Sequence, residues 1–162
     1  LGQIAETRAA LKTATGRNMP VFLKIAPDLT PAEIADTVEP TLKHGLDGLI
    51  VSNTTLSRDG LESAFRDEVG GMSGAPLFEL STTALRIARE ASAGKLVLIG
   101  AGGVDSGARA YAKIRAGASL VQLYSAMVYH GPGLADAIRR DLVARLRADG
   151  FRSITEAVGV DV

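Results

Sequence analysis

Two neighbouring segments, LVLIGAGGV (Leu96–Val104) and SLVQLYSAM (Ser119–Met127), each run from an apolar strand pattern into small residues. A strand that ends in Gly-Gly or Tyr-Ser presents bare backbone N–H groups and a hydroxyl at its carboxyl end, which suits an anionic phosphate. Gly102, Gly103, Tyr124 and Ser125 are therefore candidate phosphate-binding groups, although tight turns that hold helices against strands would use the same residues. GAGGV lacks the third glycine of GxGxxG, and no acidic residue ends a following strand at the expected distance, which argues against a dinucleotide site.

Three further groups carry chemistry. In VFLKIAP (Val21–Pro27), Lys24 shares a strand face with Phe22, while Val21, Leu23 and Ile25 occupy the other. An ammonium inside an apolar strand costs several kcal/mol unless it meets an anion or loses its proton. Lys24 thus either snorkels at the strand end or faces an anionic ligand. Asn53, Thr54 and Thr55 follow LIVS directly. Their amide and hydroxyls can read a planar, amide-like or carboxylate-bearing ligand, or can simply end the strand in an Asx-turn. GGMSGAPL (Gly70–Leu77) sets three glycines around Ser73. It reads either as a flexible loop before a helix or as backbone that approaches a ligand closely. Arg139, Arg140, Arg145 and Arg147 read as a solvated helix face.

The periodicity that must position these residues switches repeatedly between helix and strand. It predicts helices over Ile4–Thr15, ended by Gly16, and over Pro31–Leu42, with Thr30 as N-cap and proline at the first helical position. Further helices are predicted over Phe78–Ala91, Ser106–Ala116 and Leu134–Ala148, the last with Leu134, Ile138, Leu142 and Leu146 at helical spacing. Strands are predicted over Val21–Ala26, Leu46–Ser52, Leu96–Ile99 and Leu120–Leu123. The Asn53–Leu77 stretch is too long for a plain βα connection, and such loops are usually functional. The tail, Phe151–Val162, is weakly patterned. Consecutive βα units give an all-parallel sheet, either doubly wound or part of a (β/α)8 barrel. Lys24, Asn53, Gly103 and Ser125 all fall at carboxyl strand ends, which is where a barrel converges its site.

Composition bounds the rest. At 162 residues the chain reads as one domain. Hydrophobic content of 46% with only 4% aromatic suits helices packed on parallel strands. With 18 basic and 18 acidic residues there is no electrostatic footprint for nucleic acid. The absence of cysteine excludes thiolate chemistry, and the two histidines, His44 and His130, suggest no metal site. No apolar run reaches the roughly 20 residues of a membrane helix. The chain starts at Leu1 without a signal pattern and is expected to be a piece of something longer.

Taken together, VFLKIAPDL, GLIVSNTTLSR, GGMSGAPL, IGAGGV and IRAGASLVQLYSAMVYHGP resemble, in order and spacing, the C-terminal half of a class 2 dihydroorotate dehydrogenase. This is the quinone-linked, FMN-containing enzyme of pyrimidine biosynthesis, and SGxPL combined with QLY is more typical of class 2 than of the soluble class 1. The resemblance implies a (β/α)8 TIM barrel, with residues 1–162 as about its four C-terminal βα units. It implies that Lys24 approaches the flavin ring, that Ser52 stands where a flavin-contacting threonine is usual, and that Asn53 and Thr54 hold dihydroorotate or orotate. Ser73, Gly74, Gly102, Gly103, Tyr124 and Ser125 match FMN contacts, with Gly103, Tyr124 and Ser125 near the phosphate. Ser125 again replaces a more usual threonine, and Ala101 and Asp105 sit in variable places.

The family's catalytic base is a serine in an Asn-rich segment of the N-terminal half. With only Asn18 and Asn53 present, this chain has no candidate for it and is expected to be inactive alone. The full enzyme is expected to be a peripheral protein of a cell or mitochondrial inner membrane, with its quinone-admitting helices outside this chain. An isolated half barrel is expected to self-associate through its open strand edges. Two other readings remain open: a phosphate-binding barrel fragment without flavin, and a non-catalytic half-barrel interaction module.

Overall fold

The start signal at Thr30-Pro31 is realised as a reciprocal cap. In the computed structural model, which describes residues 1–162, the Glu33 amide donates to Thr30 Oγ1 at 3.3 Å and the Thr30 amide donates to Glu33 Oε2 at 2.8 Å. Two donors that helix α2 (Pro31–Lys43) would otherwise leave open are thereby satisfied. Helix α1 (Gly2–Thr15) ends, as the sequence predicts, at Gly16 in a left-handed conformation. It buries no residue and is anchored by Arg8, which donates to the Gly45 carbonyl at 3.0 Å and pairs with Asp47 at 2.9 Å.

Strands β1 (Phe22–Ile25), β2 (Gly48–Val51), β3 (Val97–Ala101) and β4 (Leu120–Gln122) form one parallel sheet in the order β1-β2-β3-β4. Each falls within the stretch predicted for it or runs one to two residues beyond, because the end of a strand is set by where its neighbour stops pairing and not by its own apolar pattern. Every crossover adds its strand on the same side of the last. A doubly wound sheet reverses direction at a switch point, whereas a barrel winds one way only. The observed order is the barrel's.

The sheet's two faces differ sharply. Toward helices α2 and α3 (Phe78–Ser92), Ile25, Leu49, Val51 and Leu98 pack with Ile34, Val38, Leu85 and Ala88 in a core of 12 buried residues. A second cluster joins Tyr111 and Ile114 of α4 (Gly107–Arg115) to Leu146 of α6 (Gly133–Ala148) and Ala157 of α7 (Ile154–Ala157). On the other face, Lys24, Ile50, Ile99 and Leu120 stand in one register row, with Lys24 and Leu120 exposed at its two ends and Ile99 buried within it.

Lys24 shares its face with Phe22 as predicted and is exposed, which both sequence readings of it allow. Leu120, at the opposite end of the same row, is likewise 57% exposed. Two helices escaped the sequence reading: α5 (Ser125–His130) and α7 are too short to display a helical period. Ser125 accordingly opens a helix. The Leu134–Leu146 stripe is realised in α6, with Ile138 and Leu146 buried.

Candidate active site

The carboxyl ends of the four strands surround a cleft of about 730 Å³. Lys24 enters it from β1, and Ser52, Asn53 and Thr54 from the end of β2. The long loop contributes Ser73 and Gly74, β3 contributes Gly102 and Gly103, and the β4–α5 junction contributes Tyr124 and Ser125. The candidate cofactor and substrate residues from the sequence are thus brought together, except that Thr55, grouped there with Asn53 and Thr54, is buried outside the cleft.

At the ends of β3 and β4 the backbone is rich in free donors. None of the amides of Gly102, Gly103, Val104, Tyr124, Ser125 and Ala126 is paired with a backbone carbonyl. Gly102 (φ 102°) and Gly103 (φ 71°) occupy the left-handed region that favours glycine. A β-carbon on Gly103 would overlap the backbone of Phe78 at the start of α3, and one on Gly102 would stand 2.7 Å from Ser81 Oγ. The glycines therefore serve both readings at once: they let the turn pack against α3 and they leave a row of N–H groups unpaired.

The Ser73 and Ser125 hydroxyls are 2.9 Å apart and hydrogen-bonded, which ties the GGMSG loop to the start of α5. Ser52 is buried; its hydroxyl donates to the Asn53 carbonyl at 2.9 Å and its amide to the Ala101 carbonyl at 3.1 Å. The turn after β2 is held by Thr55 rather than Asn53. The Thr55 hydroxyl donates to Asp28 and accepts from the Ser57 amide at 3.0 Å. Asn53 and Thr54 are exposed and line the cleft. The remainder of the loop is ordered around Arg58, whose guanidinium donates to the carbonyls of Arg66 (3.0 Å), Glu68 (3.2 Å) and Gly70.

The cleft favours an anion. Asp105, the one carboxylate in its lining, is paired with Arg109 at 2.6 Å, which leaves the Lys24 ammonium unbalanced. Gln122, Tyr129 and His130 also line it and were missed by the sequence reading. The period of two along Leu120-Val121-Gln122 could have found Gln122; nothing marked the α5 residues. Arg139 and Arg140 lie outside the cleft, exposed and paired with Asp136 at the surface. No group of three or more His, Cys, Asp or Glu side chains is placed to hold a metal.

A one-way parallel sheet with its polar groups gathered at the carboxyl strand ends defines a (β/α)8-barrel protein whose cleft suits an anionic ligand. The family model for dihydroorotate dehydrogenase matches residues 2–146. A Cereibacter sphaeroides dihydroorotate dehydrogenase (quinone) is 59% identical over 143 residues, covering 88% of this chain and 40% of the relative. The Xanthobacter autotrophicus protein of the same description is 53% identical, covering 100% of this chain and 46% of its own length. Among solved structures, the dihydroorotate dehydrogenase of Eimeria tenella in complex with ferulenol superposes with a TM-score of 0.86 at 41% identity, over 92% of this chain and 40% of that one. The chain belongs to the dihydroorotate dehydrogenase family. It spans somewhat under half the length of the relatives it matches.

Proposed function

We propose that residues 1–162 form half of the single barrel domain of a quinone-linked dihydroorotate dehydrogenase, and that their cleft holds FMN beside dihydroorotate. The observation that carries this reading is the row of unpaired amides at the ends of β3 and β4, in the same cleft as Lys24 and Asn53. The donor set fits FMN: N–H groups and the Ser125 hydroxyl for a phosphate, and an ammonium for an electron-rich ring. FMN, when bound, supplies the acceptor for electrons from dihydroorotate and their route to quinone.

The chain's own residues bind and orient. The amides of Gly102 to Val104 and Tyr124 to Ala126 grip the phosphate end. Ser73 and Gly74 bring the long loop against the flavin, held there by the Ser73–Ser125 bond. Ser52 contacts the ring from the end of β2. Lys24 sets positive charge where the flavin gains electron density on reduction, which is electrostatic preorganisation. Asn53 and Thr54 fix the ring and carboxylate of dihydroorotate through an amide and a hydroxyl. Removal of the substrate proton falls to a serine base in the part of the barrel that the family places N-terminal to these residues. The whole enzyme acts at a membrane surface, where quinone is available; no helix of this chain is long and apolar enough to cross a membrane.

The test is a chimera in which this chain replaces the matching 46% of the Xanthobacter relative. It is expected to purify yellow, absorbing near about 450 nm as a bound flavin does, and to reduce quinone with dihydroorotate. A folded chimera that carries no flavin overturns the proposal in favour of a flavin-free phosphate barrel or an interaction module.

A further inference from the structure

Behind the glycine turn, on the helix side of the sheet, lies a charge that the cleft does not use directly. Lys113 of α4 is fully buried, and no carboxylate pairs with it. Its ammonium donates to Ser81 Oγ at 2.6 Å and lies 5.3 Å from the centroid of the Phe78 ring. The Ser81 hydroxyl in turn reaches the Gly102 carbonyl at 3.2 Å and the Phe78 carbonyl at 3.1 Å. Arg109, one turn earlier on α4, covers the same ring at 4.9 Å and donates to the Gly103 carbonyl at 3.2 Å. Both carbonyls of the turn are therefore held from the helix layer.

This matters because a peptide group is planar and trans. Its carbonyl and the N–H of the next residue point in opposite directions. Drawing the Gly102 carbonyl toward Ser81 turns the Gly103 N–H away from α3, and drawing the Gly103 carbonyl toward Arg109 does the same for Val104. Packing alone does not call for an ammonium at this place. An unpaired buried charge destabilises a fold, and methionine would fill similar space without it.

We infer that Lys113 is a positioning residue for a phosphate monoester in the cleft: through Ser81 it fixes the Gly102 carbonyl and so aims the Gly103 amide, and its charge adds a positive field behind the turn. The inference rests on reading the cleft as the FMN phosphate site.

Affinities for FMN and for riboflavin, which lacks the phosphate, separate the two ideas when measured by flavin fluorescence on the wild-type protein, Lys113→Met and Ser81→Ala. Wild type is expected to prefer FMN. Each variant, shown by circular dichroism to be folded, is expected to lose about tenfold in FMN affinity with riboflavin affinity unchanged. The double variant should lose no more than the weaker single one, because both act on one carbonyl. A wild-type preference for FMN that survives in both variants overturns the role of Lys113 and leaves the phosphate site standing. A wild type that binds riboflavin as tightly as FMN overturns the phosphate site, and the inference with it.

Discussion

The burial of Lys113 has a measurable consequence for stability. Burial pushes its ammonium from the ordinary 10.5 down to about 7, with Glu79 on α3 easing the shift and Arg86 on the same helix deepening it. Arg109 faces the same Phe78 ring from α4, and on β3 a β-carbon at Gly100 would stand 3.2 Å from the lysine Cβ and 3.3 Å from its Cδ, so glycine leaves room for the stem. Between pH about 7 and about 10.5 the unfolded chain therefore holds a proton that the folded chain has released, so stability rises with pH across that window. At about 1.4 kcal/mol for each tenfold in acidity, the ceiling on the gain is about 5 kcal/mol. Lys113→Met removes the titration altogether. Near neutral pH the variant escapes the cost of burying the charge and loses one hydrogen bond worth about 1 kcal/mol, for a net gain of roughly 2 to 4 kcal/mol. Urea unfolding of both proteins, followed by circular dichroism from pH about 6 to about 9.5, reads the difference directly. It should be largest at the acidic end and shrink as pH rises. A difference that stays constant with pH would refute the buried-ammonium argument.

Three further outcomes follow from particular contacts. Sedimentation of the isolated chain is expected to show self-association, because β1 and β4 have unpaired edges and Leu120 and Tyr124 are 57% and 85% exposed; a compact monomer of 16.8 kDa would contradict this. In the FMN-loaded chimera, Lys24→Met should lower the flavin midpoint potential by several tens of millivolts, since a charge-assisted contact of about 1.5 to 3 kcal/mol acts on the reduced form alone. An unchanged potential would remove Lys24 from the flavin site. Thr30→Ala should lower unfolding free energy by about 1 kcal/mol through loss of the reciprocal cap on α2, and an unmoved urea midpoint would show that the cap contributes nothing.

The parts of the fold legible in the sequence are those with a strong local signature. Thr30-Pro31 announced α2, Gly16 ended α1, and the apolar runs before Lys24, Ser52, Gly102 and Tyr124 marked four strands whose carboxyl ends share one cleft. Strand order was not legible, because period and turn chemistry are the same in a doubly wound sheet and in a barrel; only the pairing of β1 through β4 decides it. The sequence left Lys24 between a solvated and a ligand-facing position, because alternation tells which face a residue occupies, not whether anything covers that face. Lys113 was missed because a lysine in a helix is normally a solvated residue, and its burial depends on Phe78 and Ser81 arriving from α3. The Ser73–Ser125 bond spans 52 residues and could not be read from either neighbourhood.

The central claim is that the ends of β3 and β4 grip the phosphate of FMN while the end of β2 holds the substrate. Amide-resolved nuclear magnetic resonance of the protein, titrated with FMN and then with orotate, tests it most directly. FMN is expected to shift the amides of Gly102 to Val104 and Tyr124 to Ala126, with riboflavin leaving them in place, and orotate is expected to shift Asn53 and Thr54. Shifts by FMN that avoid both strand ends, or that riboflavin reproduces, would contradict the account.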